Sequence, residues 1–289
     1  MSQSLSFSVI TPSFNQGRFI CDAIDSVLLQ AQSNVEHFII DGGSTDTTVA
    51  VLQQRSADPC CTSLRWISEP DRGQSHALNK GFARASGDII GWLNADDRYL
   101  PGCFNQVACA FMEYPEIDVV YGDYRWIDED GRPSRLRREI EFSAFVLLYH
   151  RVLYIPTTAA FFRRHIFQHG HYLNESLHYA LDFEFFVRLA MLGYRFRHIP
   201  AVLGDFRFQR DSKTCTAPQK QLEEQRRIAE QYSPILSAIQ SPTTRGMVRM
   251  ALGLSAAAMR YSEKLLRGYY FNGSFRAANP PGSEAPCTF

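Results

Sequence analysis

Short β-branched runs alternate with longer helical patterns through the first half of the chain, and this alternation constrains the fold more than any other feature. A strand that returns through a helix to a parallel neighbour requires an α/β layer architecture. Residues 7–11 read as the first strand and residues 20–31 as its return helix, with Ile20, Ala23, Ile24, Val27 and Leu28 on one stripe. Further strands are expected at 36–40, 64–68 and 89–93, and helices from about Thr47, over 75–85 and from Pro101, where proline suits a first turn. Residues 119–127 run into Asp128-Glu129-Asp130-Gly131 as a strand entering a hairpin, a mixed region follows, and 181–192 and 195–203 read as a helix and a strand. From Pro218 the pattern is helical, over 222–232 and 247–266, and residues 277–289 with Pro280-Pro281-Gly282 read as a disordered tail. The expected organisation is an α/β domain over 1–215 and a helical C-terminal extension over 216–289.

Thirty Lys plus Arg against thirty Asp plus Glu leave no net charge and no basic field for nucleic acid. Seven cysteines without a CxxC pair or zinc-ligand spacing read as reduced thiols. The first seven residues lack a secretory pattern, and the apolar segment 247–259, interrupted by Arg249, is shorter than the roughly 18 to 20 residues of a spanning helix. A cytoplasmic protein is expected.

Ligands of an open parallel sheet collect at the carboxyl ends of its strands. Polar clusters follow the expected strands there: Thr11-Pro12-Ser13-Phe14-Asn15, Asp41 to Asp46, Glu69-Pro70-Asp71-Arg72-Gly73, and Asn94-Ala95-Asp96-Asp97. No G-x-G-x-x-G follows the first strand and no G-x-x-x-x-G-K-[ST] occurs, which argues against a dinucleotide dehydrogenase and a P-loop NTPase.

Taken with Asp41-Gly42-Gly43-Ser44-Thr45-Asp46, Asn79-Lys80-Gly81, Ala85-Ser86-Gly87-Asp88 and Leu93 to Asp97, the segment Ile10 to Asn15 resembles glycosyltransferase family 2, over residues 7 to 214. The resemblance implies a GT-A fold, Rossmann-like, with a mainly parallel sheet flanked by helices. It also implies an inverting transfer of sugar from a nucleotide-diphosphate donor to a hydroxyl of a glycan or lipid-linked acceptor, in bacterial surface-polysaccharide synthesis. A UDP-sugar is favoured over TDP or GDP donors, with Mn²⁺ or Mg²⁺ as cofactor. Asp96-Asp97 resembles the metal motif, with Asn94 in place of its first acid; Asp97 is the expected direct ligand and Asp96 a contact to ribose or sugar that also serves the metal. Thr11, Pro12, Ser13, Asn15, Asp41, Gly43, Arg72, Lys80, Asn94 and Ala95 are expected around the donor, with Asp41 accepting from the imide of a pyrimidine. Arg207 and Lys213, beside Ser212 and Thr214 in a segment similar to the family's mobile loop, are expected to clamp the diphosphate.

Asp182, in a motif similar to the family's acidic helix start, is the expected general base, and a helix N-terminus favours its ionised form. Glu184 and Arg188, spaced i, i+4, read instead as a helix-surface ion pair. Leu181 stands where the family often has a second acid and Gln209 where relatives carry His, so His198 is a candidate substitute. Arg245, Arg249, Arg260, Lys264 and Arg267 interleave with apolar residues, a pattern that allows either peripheral contact with the inner face of the plasma membrane or an ordinary packed helix. Two alternatives stand beside this reading. A nucleotidyltransferase would show a glycine-rich basic loop after the first strand, and an inactive nucleotide-binding homologue would not need Asp96, Asp97 and Asp182 together.

Overall fold

The computed structural model describes residues 4–30, 34–209 and 217–270. The expected parallel half is present as β1 (Phe7–Ser13), β2 (Val35–Asp41), β3 (Leu64–Ser68) and β4 (Ile89–Trp92), returned by α1 (Ile20–Leu28), α2 (Thr48–Ser56) and α3 (Gln74–Phe82). There follow β5 (Arg98–Tyr99), α4 (Cys103–Glu113), β6 (Val119–Ile127), β7 (Pro133–Arg137), α5 (Ala144–His150), β8 (Ala160–Arg163), α6 (His165–Gln168), α7 (Leu181–Met191) and β9 (Phe196–Arg207). Three C-terminal helices complete the described chain: α8 (Pro218–Tyr232), α9 (Pro234–Ser237) and α10 (Pro242–Leu266).

Among the described residues the strands form one sheet in the order β3-β2-β1-β4-β8-β6-β9-β5, with β7 on β6. β1 is parallel to β2 and β4, and β2 to β3. β8 runs antiparallel between β4 and β6, and β6 is parallel to β9, so β1 to β4, β6 and β9 all point one way. Every residue of β1 is buried, as expected of a parallel strand covered on both faces. α3 lies close on it because Gly81 has no side chain, for a Cβ there would stand 2.2 Å from Ile10 Cγ2.

Several boundaries differ from the sequence reading for local reasons. α1 ends at Leu28 rather than at residue 31, with the Gln30 amide bonded to the Ser26 carbonyl at 2.9 Å and the Leu100 carbonyl at 3.0 Å. α3 stops at Phe82, and α4 begins at Cys103 rather than Pro101 because Gly102, at φ 78°, is left-handed. β9 continues past Leu203 to Arg207, with Phe206 and Arg207 opposite Trp126 and Ile127 of β6. β5 and β8 were not anticipated; both are short and antiparallel, outside the βαβ pattern.

The direction of α7 follows from its neighbours. Only residues 192–195 separate it from β9, whose first residue pairs with the start of β6, so α7 must run back antiparallel to the strands. Its amino end, with Asp182, therefore stands at the carboxyl edge of the sheet. Phe183, Phe185 and Phe186 anchor it in the core with Ile10, Trp92 and Phe162.

The C-terminal helices join that same core through Ile228, Ala229, Leu236 and Ala256. The cations of α10 face acceptors of the protein: Arg260 and Lys264 lie 2.8 Å from buried Glu139, Arg249 pairs with Glu230 at 2.6 Å, and Arg245 donates to the Ile239 carbonyl. They are not presented outward as an interfacial helix would present them, although Met250, Leu254 and Leu266 are exposed. Among the described residues no helix is long and apolar enough to cross a membrane. Cys21, Cys60, Cys61, Cys103 and Cys109 are free thiols; Cys215, Cys287 and the expected tail at 277–289 lie outside the described residues.

Candidate active site

The ends of β1, β2 and β3 are tied together by polar side chains of their own loops. Thr11 is fully buried, with its hydroxyl 2.8 Å from Nε2 of His37, and burial lowers the His37 pKa to about 3, so the ring is neutral. The Thr11 hydroxyl is thus engaged inside the protein. Ser13, at the tip of β1, is also buried, and its hydroxyl has no hydrogen-bond partner among the described residues. Asn15, at φ 54°, accepts from the Thr45 amide at 2.9 Å and donates its own amide to Ser44 Oγ at 2.7 Å, stapling this loop to the next.

Asp41 is fully buried at the end of β2. Its carboxylate accepts from the Gly43 amide at 3.2 Å, the Ser44 amide at 2.9 Å, the Ser44 hydroxyl at 2.5 Å and the Ser68 hydroxyl at 2.6 Å. A carboxylate has roughly four acceptor positions, two on each oxygen. Three of the donors converge on Oδ2 and only the Ser44 hydroxyl reaches Oδ1, so Oδ1 keeps an acceptor position. Gly43 takes φ 83°, a left-handed conformation, and a Cβ there would stand 3.4 Å from the Pro70 nitrogen in the loop after β3.

In that loop Arg72 is exposed and pairs with Glu175 at 2.6 Å. Lys80 is turned from the expected donor contact, because its ammonium lies 2.7 Å from Glu69. Gln74, at the start of α3, donates to Asn94 Oδ1 at 3.1 Å, while Asn79 donates to the Leu173 carbonyl at 3.0 Å. α3 therefore borders both the acidic loop after β4, at its start, and the 171–180 segment that leads into α7, through Asn79.

The two acids after β4 occupy different environments. Asp97 is 1% exposed, and its carboxylate accepts from the Arg207 amide at 2.9 Å, Thr158 Oγ1 at 2.5 Å and Asn94 Nδ2 at 3.1 Å. Burial, then the adjacent Asp96, push its carboxyl up to about 8. Asn94 also accepts from Trp92 Nε1 at 3.0 Å. An acid at position 94 would set a third carboxylate against the buried one, a physical reason for Asn where the motif has Asp. Ala95 is buried behind them.

Asp96 is the more accessible acid. Burial still raises its pKa, and Gln209 Nε2 donates to its Oδ2 at 2.5 Å. Gln209, the departure from His, thus orients the carboxylate. Of the two acids expected at the metal, Asp97 is enclosed by protein donors and Asp96 is the more accessible.

Arg207, expected at the diphosphate, is held by the protein's own acceptors. It is 2% exposed, and its guanidinium donates to the carbonyls of Asp96 at 2.8 Å, Asp128 at 3.2 Å and Glu129 at 2.9 Å, and to Asp22 at 2.5 Å. It latches the acidic loop to the β6–β7 hairpin and α1 and has no fork free for a diphosphate. His198, third residue of β9, is buried against Asp123 at 2.8 Å, at the strand end opposite Arg207, and cannot replace the family His. Lys213 lies outside the described residues.

Asp182 is in the first turn of α7, half-buried, with Oδ1 accepting from the Phe183 amide at 2.7 Å. Glu184 is buried rather than on the surface: it accepts from Arg188 at 2.8 Å and from the Tyr232 hydroxyl of α8 at 2.7 Å. Thr158, Ser68 and Gln74 went unnoticed in the sequence, since no local pattern distinguishes a Ser, Thr or Gln that bonds a distant acid.

Among the described residues no three His, Cys, Asp or Glu side chains converge as a ready-made metal site. A single carboxylate, raised by burial, fits a hard cation shared with diphosphate oxygens and water, the usual habit of Mg²⁺ at phosphate sites.

The description "Glycosyl transferase family 2" fits residues 8–170. An uncharacterized glycosyltransferase of Mycobacterium tuberculosis is 32% identical over 196 residues, 66% of this chain and 71% of that protein. One of Nostoc sp. is 28% identical over 173 residues, and the chain spans only 52% of its length. Chondroitin synthase of Escherichia coli is 27% identical over 200 residues, 27% of its length. Among solved structures, S. aureus TarS 1-349 in complex with UDP-GlcNAc superposes with a TM-score of 0.64 at 18% identity, over 93% of this chain and 76% of that one. The mannosyltransferase PcManGT from Pyrobaculum calidifontis, in complex with GDP-Man and Mn²⁺, has a TM-score of 0.61 at 17% identity, over 94% and 77%.

Proposed function

We infer the reaction from one premise: the chain belongs to glycosyltransferase family 2. It transfers a sugar from a nucleotide-diphosphate donor to a hydroxyl, with inversion at the anomeric carbon. The reading rests on a single juxtaposition: the one accessible acid of the loop after β4 and the acid opening α7 both belong to the carboxyl edge of the sheet. The nucleoside lies against the Thr11-Pro12 segment and the Asp41 turn, where the buried Ser13 hydroxyl lacks a partner among the described residues. UDP is favoured as nucleotide, and the acceptor is a glycan or a lipid-linked glycan of bacterial surface polysaccharide. Membrane contact, where it occurs, is peripheral.

Asp96 would hold the divalent cation, which when bound neutralises charge on the departing diphosphate. Asp182 accepts the proton of the acceptor hydroxyl as its oxygen forms the new bond to the anomeric carbon. The bond from that carbon to the diphosphate oxygen breaks on the opposite side. Gln209 keeps the Asp96 carboxylate oriented, and buried Asp97 holds the loop through Thr158 and the Arg207 amide.

Thermal unfolding with UDP, GDP and TDP, with and without Mn²⁺, tests the donor side, because stabilisation follows RT ln(1 + [L]/Kd). One nucleotide is expected to raise Tm more than the others, metal to enlarge the rise, and Asp96→Asn to abolish that enlargement. Asp182→Asn should keep the nucleotide shift and lose transfer by at least about a hundredfold, the usual contribution of a general base. No response to any diphosphate with Mn²⁺ present, or wild-type turnover in Asp182→Asn, would refute the corresponding half.

A further inference from the structure

α7 has no capping side chain of its own. Its N-cap is Ala180, at φ −126° and ψ 33°. The polar partner comes from elsewhere: Glu224 of α8 accepts from the amides of His178 at 3.2 Å, Tyr179 at 2.8 Å and Ala180 at 2.8 Å. Three consecutive amides on one carboxylate fix the backbone path immediately before the helix, and the charge makes each bond stronger than a neutral one. α8 holds the other side as well, through the Tyr232 hydroxyl on Glu184, while Ile228 and Ala229 are buried between the two contacts. Residues 180 and 184 flank Asp182, so α8 grips the first turn of α7 on both sides of it.

We propose that Glu224 is a positioning residue for the reaction: it sets the direction of Asp182 towards the acceptor hydroxyl without touching substrate. The inference rests on Asp182 being the base. The amides of His178, Tyr179 and Ala180 could bond to water if the grip failed, so the fold would tolerate a small rotation of this turn. Transfer would not, because misplacing a catalytic group by about 1 Å costs up to roughly a hundredfold.

Glu224→Gln keeps the shape but replaces one acceptor oxygen with an amide that faces N–H groups. In the full chain it should lower kcat for transfer about tenfold or more, with donor KM and the Tm rise caused by UDP and Mn²⁺ unchanged within about twofold. A double-mutant cycle separates positioning from independent action. If Glu224 works through Asp182, Glu224→Gln adds less than about a twofold loss in the Asp182→Asn background, since there is no base left to misplace. Wild-type kcat in Glu224→Gln, or losses that multiply in the double variant, would overturn the proposal. Unchanged turnover in Asp182→Asn alone would instead remove the base reading. If Glu224→Gln unfolds at the assay temperature, Glu224→Asp, which draws the oxygens back by one methylene, is judged by the same criteria.

Discussion

Replacing Glu139 with Gln should destabilise the protein by about 3–5 kcal/mol, the cost of breaking a buried ion pair by removing one partner. Glu139 is fully buried, and its Oε2 lies 2.8 Å from both Arg260 and Lys264, whose side chains are 4% and 11% exposed. Solvent does not screen these contacts, so no surface discount applies. The variant would leave two cations in the interface between α10 and the body of the protein. Against a total stability of roughly 5–15 kcal/mol, α10 should loosen before the sheet does.

The same substitution has a signature in pH. Burial lowers the Lys264 pKa from its usual 10.5, and Glu139 is the charge that opposes this fall. Without Glu139 the folded pKa drops further below the unfolded one, so between the two the unfolded chain binds a proton that the folded one gives up. Stability then rises with pH wherever the unfolded state holds more protons, at up to about 1.4 kcal/mol per pH unit for one group. Urea unfolding followed by circular dichroism should show the variant losing less, relative to wild type, at pH about 9 than at pH about 7. A loss under about 1 kcal/mol, or a deficit equal at both pH values, would refute the account of a closed, desolvated cluster.

Gly81→Ala should lower Tm, although alanine ordinarily favours a helix interior over glycine by about 1 kcal/mol. The new Cβ would stand 2.2 Å from Ile10 Cγ2 in the core, and overpacking of that kind costs about 1–3 kcal/mol. A raised Tm in differential scanning calorimetry would contradict this. Arg207→Lys should cost about 2 kcal/mol or more in urea unfolding, because one ammonium cannot replace a fork that reaches three carbonyls and Asp22. If stability were unchanged while UDP binding weakened relative to uridine, Arg207 would be a diphosphate clamp after all.

The parallel half of the fold was legible because its signals are local. Periodicity marks each strand and helix, and glycines and acids punctuate their ends within a few residues. β8 and β5 escaped notice because a strand of four or two residues carries no periodicity, and only distant β4, β6 and β9 make it a strand. The site divides in the same way. Its location at the carboxyl edge could be read from four polar clusters after strands, but the division of labour within Asp96-Asp97 could not. Thr158 and Arg207, 61 and 110 residues away, close over Asp97 and leave Asp96 accessible.

The motif residues themselves show why chemistry and scaffold are hard to separate in sequence. Asn15 and Asp46 knit adjacent loops, Gly81 admits Ile10, and Gly87 lets its chain approach the backbone of Phe7 within what would be 2.7 Å of a Cβ. Asp88 then bonds the Ser6 amide and hydroxyl at 3.0 and 2.7 Å, aligning the entry of β1 with that of β4. Most of the recognisable pattern therefore specifies loops of fixed shape at one sheet edge. A carboxylate offered to a cation needs such a frame, because its value as a ligand depends on an orientation held before the cation arrives. The first turn of α7 is the exception that supports the rule: no side chain of its own caps it, and α8 supplies its frame through Glu224, 44 residues beyond Ala180.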